Sequence, residues 1–258
     1  MDSTSKNKPT LPLNNVLKFI LPLFSIFLIW EILYLIARNS YIVPSISNVF
    51  LRIFEMLGEV SFYKAIFTAF VRVLAGLITG ILSAVILAIA CHYSSICTSI
   101  VAPLLSVMKA TPIACIIVLL WINMNYTQLT IFVVVLMVIP IVWQNVYDGL
   151  SSMDKDLIEV SEIFEFNFQK KLRFLIFPTL VKYLVPSIIT SIGLAWKSGI
   201  AAEIMTNSNI GRLIYNYKNI TFDTASIFAW TIIIVSFSII LEKSTAYLLG
   251  RLSNEFEN

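Results

Sequence analysis

The feature that most limits this chain is the recurrence of apolar runs long enough to cross a membrane. A helix needs roughly 20 residues to pass a hydrocarbon core of about 30 Å. Six runs of that kind lie at about 17–37, 62–91, 98–122, 126–147, 174–202 and 225–249. In lipid every backbone N–H and C=O must be satisfied internally, so such runs become helices. Charged residues make up 13% of the chain, about half the share of a soluble domain, which excludes the water-soluble classes. The expectation is an all-α, polytopic membrane protein with six transmembrane helices. The 17–37 run contains Glu31 and lacks a small-residue cleavage site, so it is expected to be a retained span and not a signal peptide.

The charges between the spans set the orientation. Lys6, Lys8, Lys18, Lys155, Lys170, Lys171, Arg173, Lys243 and Arg251 fall on one side, against Arg38, Arg52, Lys64, Arg212 and Lys218 on the other. The richer side is expected to be cytoplasmic and to hold both termini. The chain then divides into a cytoplasmic tail over 1–16, one transmembrane domain over 17–252 and a second cytoplasmic tail over 253–258. On the outer side, residues 42–61 read as an interfacial amphipathic helix that Ser47 could cap. Residues 204–224 read as a polar loop with a short helix.

The most charged stretch faces the cytoplasm in this orientation. In "EVSEIFEFNFQKKLRFLIFP" (159–178), Asp154 precedes an amphipathic helix as its expected N-cap, and Glu159 lies near the positive end of its dipole. Leu157, Val160, Ile163 and Phe164 share one face. Asn167 can cap a second short helix, and Lys170, Lys171 and Arg173 follow before Pro178. A rigid two-helix hairpin is expected over 154–173, apolar on one side. Its interleaved acids fit a protein surface better than an anionic leaflet.

Within the spans, Gly76 and Gly80 form a Gly-x-x-x-Gly pair suited to close helix packing, and Gly193 and Gly199 keep the fifth span slim. Glu31, Arg72, Lys109, Lys197 and Glu203 are charges inside or at the ends of spans, where an unpaired charge costs several kcal/mol. Either they pair or snorkel, or they border a solute pathway. Lys197 and Glu203 are about 9 Å and about 600° apart along one helix, so they should not pair with each other. Glu203 is expected near the outer interface. Lys197 is expected either to pair with a carboxylate of another span, Glu31 being a candidate, or to open onto the pathway.

Catalytic chemistry finds no support. A phosphate-binding Gly-x-x-x-x-Gly-Lys-Ser/Thr is absent, and the single histidine, His92, has no catalytic or metal-binding partner. Cys91, Cys97 and Cys115 have no spacing that supports a metal site or a disulfide, and are expected as buried free thiols.

The 154–178 stretch resembles the cytoplasmic loop of permease subunits of binding-protein-dependent ABC importers. It is most like the subgroup for nitrate, sulfonates such as taurine, bicarbonate and related small solutes. That loop carries Glu-Ala-Ala, a Gly six residues after the Glu, and a terminal Leu-Pro. Here Glu159 and Pro178 keep the spacing and Val160-Ser161 is the small pair. Phe177 replaces Leu, and Glu165 stands at the glycine position. Further similarity lies in "VPSISNVF" (43–50), "FVRVLAGLITG" (70–80), "PLLSVMKATPIACIIVLLWI" (103–122), "GLAWKSGIAAEIM" (193–205) and "FDTASIFAW" (222–230), in family order.

The resemblance implies a type I ABC importer permease fold and a non-catalytic role. The hairpin is then the coupling element for a cytoplasmic ABC ATPase: Asp154, Glu159, Val160, Ser161, Glu165, Asn167 and Pro178 build it, with Phe164 and Phe166 as apolar anchors. It implies no cofactor in this chain, ATP and Mg being bound by the ATPase. The implied partners are that ATPase, an extracytoplasmic solute-binding protein, a second copy of the permease and membrane lipids, with no nucleic acid. The implied location is a bacterial inner (cytoplasmic) membrane. The alternative is an ATP-independent secondary transporter or channel, for which inverted repeats or helices broken at mid-membrane would speak.

Overall fold

The computed structural model describes residues 12–153 and 155–257. Eleven α-helices and one π-helical turn (Leu172–Ile176) account for the regular structure among them: α1 (Pro12–Ala37), α2 (Ile46–Leu57), α3 (Val60–Tyr93), α4 (Ser95–Ala110), α5 (Ile113–Trp121), α6 (Tyr126–Ser151), α7 (Lys155–Ile163), α8 (Phe168–Lys171), α9 (Phe177–Met205), α10 (Ile210–Asn219) and α11 (Thr224–Glu257). Among the described residues, four stretches are long and apolar enough to cross a membrane unbroken: Val60–Tyr93, Tyr126–Ser151, Gln169–Met205 and Thr224–Arg251. α1 adds a shorter apolar stretch, Phe24–Ala37.

The 98–122 run, expected as one span, is two helices. α4 and α5 meet at 98°. Pro112 is the cause, because a proline supplies no N–H and its ring drives the preceding residue out of the helical region. Thr111 is accordingly extended, at φ −78° and ψ 126°, and its N–H closes the last turn of α4. Pro103, Pro140 and Pro186 lie inside helices that continue through them.

The core is built on α3, α6 and α9. A Cβ on Gly76 would stand 2.7 Å from Val134 Cβ, and one on Gly80 would stand 3.0 Å from Val138 Cβ. The two glycines thus let α3 approach α6 to backbone distance. Gly199 receives Val73 in the same way, bringing α9 onto α3. Val134, Val138, Val142, Trp143 and Trp196 fill the space between.

Ser45 caps α2 by accepting a hydrogen bond from Asn48 N. Ser47 does not cap it; its hydroxyl lies 3.1 Å from that of Ser45. Val49 and Met56 face the bundle, while Phe50, Phe54 and Leu57 are exposed. Arg52 ties α2 to the start of α11 through Asp223 at 3.1 Å. Hydrogen bonding to Glu55 holds the Arg52 guanidinium pKa above its ordinary value.

Candidate functional site

Two regions concentrate the polar chemistry: a charged hairpin at one end of α9, and ion pairs along α9 itself. In the hairpin, α7 ends in a left-handed residue. Glu165 has φ 47°, and two hydrogen bonds close the turn around it, Phe166 N to Ser161 O at 2.9 Å and Glu165 N to Glu162 O at 3.0 Å. This is the Schellman arrangement, in which glycine ordinarily takes the left-handed place. The turn therefore forms at Glu165. Asn167 then caps α8, its side-chain oxygen accepting from Lys170 N at 2.9 Å. Asp154 lies outside the described residues.

The hairpin is closed on its inner side and open on its outer side. Ser161 is buried and donates to Ile158 O at 2.7 Å. Phe166 is half-buried and packs on Phe174 with ring centroids 6.3 Å apart. Outside, Glu159 is exposed beside Leu157, Val160, Ile163 and Phe164, the last 69% exposed. The hairpin joins α9 through one wide turn, Leu172–Ile176, in which Phe177 N–H donates to Leu172 O. Pro178, in the first turn of α9, brings no N–H to this junction, and the ladder widens just before it.

At the other end of α9, Glu203 is fully buried. The outer interface expected for it is thus replaced by a four-point cage. Arg72 Nη1 donates at 3.0 Å, Asn209 Nδ2 at 2.9 and 3.2 Å, and Ile210 N at 3.4 Å. Asn209 also donates to Ala65 O of α3 at 2.9 Å and adopts φ 45° to do so. Gly211 lets α10 lie against the end of α9, since a Cβ there would run into the Glu203 carbonyl oxygen. Beside the cage opens a cavity of about 540 Å³, with Arg72, Arg212, Trp121, Tyr126, Asn207 and Tyr215 on its wall and no carboxylate.

Lys197 and Glu203 indeed point apart. The partner of Lys197 is Glu242 of α11, Nζ to Oε1 at 3.4 Å, and not Glu31. The side chains are 66% and 39% exposed. Ser238 donates to the same carboxylate oxygen at 3.3 Å. Gly193 makes the room: a Cβ on it would fall on Glu242 Oε1. Glu31 and Lys109 are exposed and form no ion pair among the described residues. Sequence reasoning missed Glu242, Asn209 and Arg212. Glu242 was detectable as a carboxylate inside the 225–249 run, by the same argument that singled out Lys197. Asn209 carried no signal before α10 was seen to fold back on α9.

A family described as "Binding-protein-dependent transport system inner membrane component" matches residues 73–254. The chain belongs to this family. The matched region thus takes in α4 to α10 whole, most of α3 and α11, the hairpin, and both ion pairs apart from Arg72. Among named relatives, a Bacillus subtilis protein described as the aliphatic sulfonates transport permease SsuC is 24% identical over 69% of this chain, and the chain spans 63% of that relative's length. A Methanocaldococcus jannaschii protein described as an ABC transporter permease is 25% identical over 90% of this chain and 89% of its own. Two solved structures share the fold. One is an amino acid ABC transporter, at TM-score 0.60 and 16% identity over 74% of this chain and 91% of that one. The other is the inward-facing MetNI methionine ABC transporter, at TM-score 0.57 and 14% identity over 73% and 93%. The family thus makes this chain a membrane-spanning permease of type I ABC importer fold.

Proposed function

We propose that this chain is the membrane half of an ATP-driven importer for a small anionic solute, a sulfonate, nitrate or bicarbonate, and that the 154–173 hairpin is where the ATPase engages. The observation that carries this is the outer face of the hairpin. Glu159, Leu157, Val160, Ile163 and Phe164 form a mixed acidic and apolar patch, exposed on a capped and internally packed unit. Exposed apolar area on a rigid support is the property of a docking surface. Two copies of this chain, two ATPases binding ATP and Mg, and an external solute-binding protein complete the working assembly. ATP-driven closure of the ATPases moves the hairpins, and the permease alternates between outward and inward openings.

The anionic solute is supported by the cavity next to the Glu203 cage. Two guanidinium groups line it, one already neutralised by Glu203 and the other, Arg212, in no ion pair among the described residues. The sulfonate relative agrees with that charge. A second reading, a channel or secondary transporter, draws on the 98° break between α4 and α5. Uptake that is lost without ATP separates the two.

The test is Glu159→Arg with Glu159→Gln as companion. Arginine also opposes the helix dipole by about 0.3–1 kcal/mol, and glutamine does not. Both variants should insert normally while ATPase co-purification and uptake fall, the arginine variant more. Unchanged co-purification and uptake in both would refute the assignment.

A further inference from the structure

Cys91 ends α3 and Cys97 begins α4, on either side of the Ser94 turn. The sequence spacing gave no reason to join them, yet their sulfur atoms lie 3.2 Å apart. We infer that Cys91 and Cys97 are a closable thiol pair, a modification site at which a two-electron thiol oxidant forms a disulfide between α3 and α4.

The turn holds the two sulfurs in place. Ser94 caps both helices at once: its N–H donates to Cys91 O at 3.3 Å, and its hydroxyl accepts from Cys97 N at 3.3 Å. Thr98 Oγ1 donates to Cys91 O at 2.7 Å and Thr98 N to Ser94 O at 3.1 Å. The backbone on both sides of the pair is therefore fixed before any oxidation. A disulfide needs about 2.05 Å between sulfurs, so closure asks for a shift of about 1.2 Å. A small side-chain rotation supplies that movement.

The pair is also within reach of a small oxidant. Cys97 is half-buried, and the buried Cys91 borders a cavity of about 520 Å³ that His92, Ser99 and Tyr147 also line. With a small disulfide R–S–S–R as oxidant, the Cys97 thiolate attacks one sulfur and releases R–SH, leaving a mixed disulfide. Cys91 then attacks the Cys97 sulfur and releases the second R–SH. Two thiols lose two protons and two electrons, and one disulfide is reduced to two thiols. The new bond ties α4 to α3. Of α4, Leu105 alone is buried, so the tie makes a lightly held helix follow the α3–α6 core.

The experiment treats purified full-length protein in detergent with oxidised glutathione and counts thiols with a maleimide after denaturation. The chain has three cysteines. The expected count falls by two through the pair, with exposed Cys115 either free or carrying glutathione, and returns to three with dithiothreitol. The tryptic peptide 73–109, which holds both cysteines and not Cys115, should lose two hydrogens. In Cys91→Ser or Cys97→Ser, the remaining member of the pair should instead stay reactive or carry glutathione. Three persistent thiols in the parent, glutathione left on Cys97 of the parent, or a bond between two chains on a non-reducing gel would each overturn the inference.

Discussion

Replacing Arg72 by methionine tests whether the Glu203 cage is an electrostatic unit. Glu203 has no exposure, so the carboxylate cannot turn to water when its cation is removed. Asn209 and Ile210 N–H would still donate to it, but neither carries charge. Stripping one partner from a buried ion pair costs about 3–5 kcal/mol, most of it from the stranded charge. For a chain of this length that corresponds to roughly 10 °C of melting temperature. The reverse change is milder. Arg72 is 18% exposed and lines the cavity, so after Glu203→Gln its guanidinium can hydrate, and the expected cost is about 1–3 kcal/mol for the lost charge-assisted bond. The double variant Arg72→Met/Glu203→Gln should then be more stable than Arg72→Met alone, since no buried charge remains. Heating each variant in detergent and measuring the monodisperse fraction by fluorescence-detected size exclusion gives the ranking. If Arg72→Met melts with the parent, or the double variant melts below Arg72→Met, the charge argument is wrong.

Other sites give sharper local tests. Gly76→Ala puts a Cβ 2.7 Å from Val134 Cβ, so α3 and α6 must separate at a cost of about 1–3 kcal/mol, read by the same heating series. Glu165→Gly should stabilise the hairpin by up to about 1 kcal/mol, because it relieves a left-handed side-chain residue; slower amide exchange over 161–167 would show it, and faster exchange would refute it. Lys197→Met removes an ion pair that is largely exposed and worth at most about 1 kcal/mol in water. Folded yield should therefore hold while uptake falls, and a collapse in yield rescued by Glu242→Gln would make the pair structural instead.

What the sequence disclosed follows physical range. Apolar runs and the hairpin are local patterns, so the spans at 62–91, 126–147, 174–202 and 225–249 each fall within one long apolar helix. The bend within the 98–122 run was hidden because hydropathy reports composition and not direction, and Pro112 turns the chain without making it polar. Glu165 was legible as an anomaly, since only a left-handed residue fits that position of the turn. The cages were not legible. Glu203 sits near the end of its helix, where a charge ordinarily reaches water, and only the fold-back of α10 through Asn209 and Gly211 seals it. Lys197 left a carboxylate partner or an open pathway as alternatives, and its pairing depends on how α9 and α11 rotate against each other, where Gly193 leaves space for Glu242.

The placement of these pieces on α9 bears on how work could cross the bundle. From Gln169 to Met205 the helix runs as one span, about 55 Å at 1.5 Å per residue. Its first turns belong to the hairpin, its middle carries Lys197, and its last turn carries Glu203. A displacement of the hairpin therefore need not pass through a chain of soft side-chain contacts, since it acts directly on the helix that holds both ion pairs. The two pairs would respond differently. Lys197–Glu242 joins α9 to α11 at 3.4 Å and is exposed, so a small slide between those helices can break and remake it. Arg72–Glu203 is caged by four contacts from three donor groups, on α3, α10 and the last residue before α10, so it travels with α9 or not at all. On this geometry the buried pair is the pivot and the exposed pair the part that changes partners. A cross-link between positions 193 and 242 should then inhibit uptake more than one between positions 72 and 203, measured in the same assembled complex, and equal inhibition would refute the division of roles.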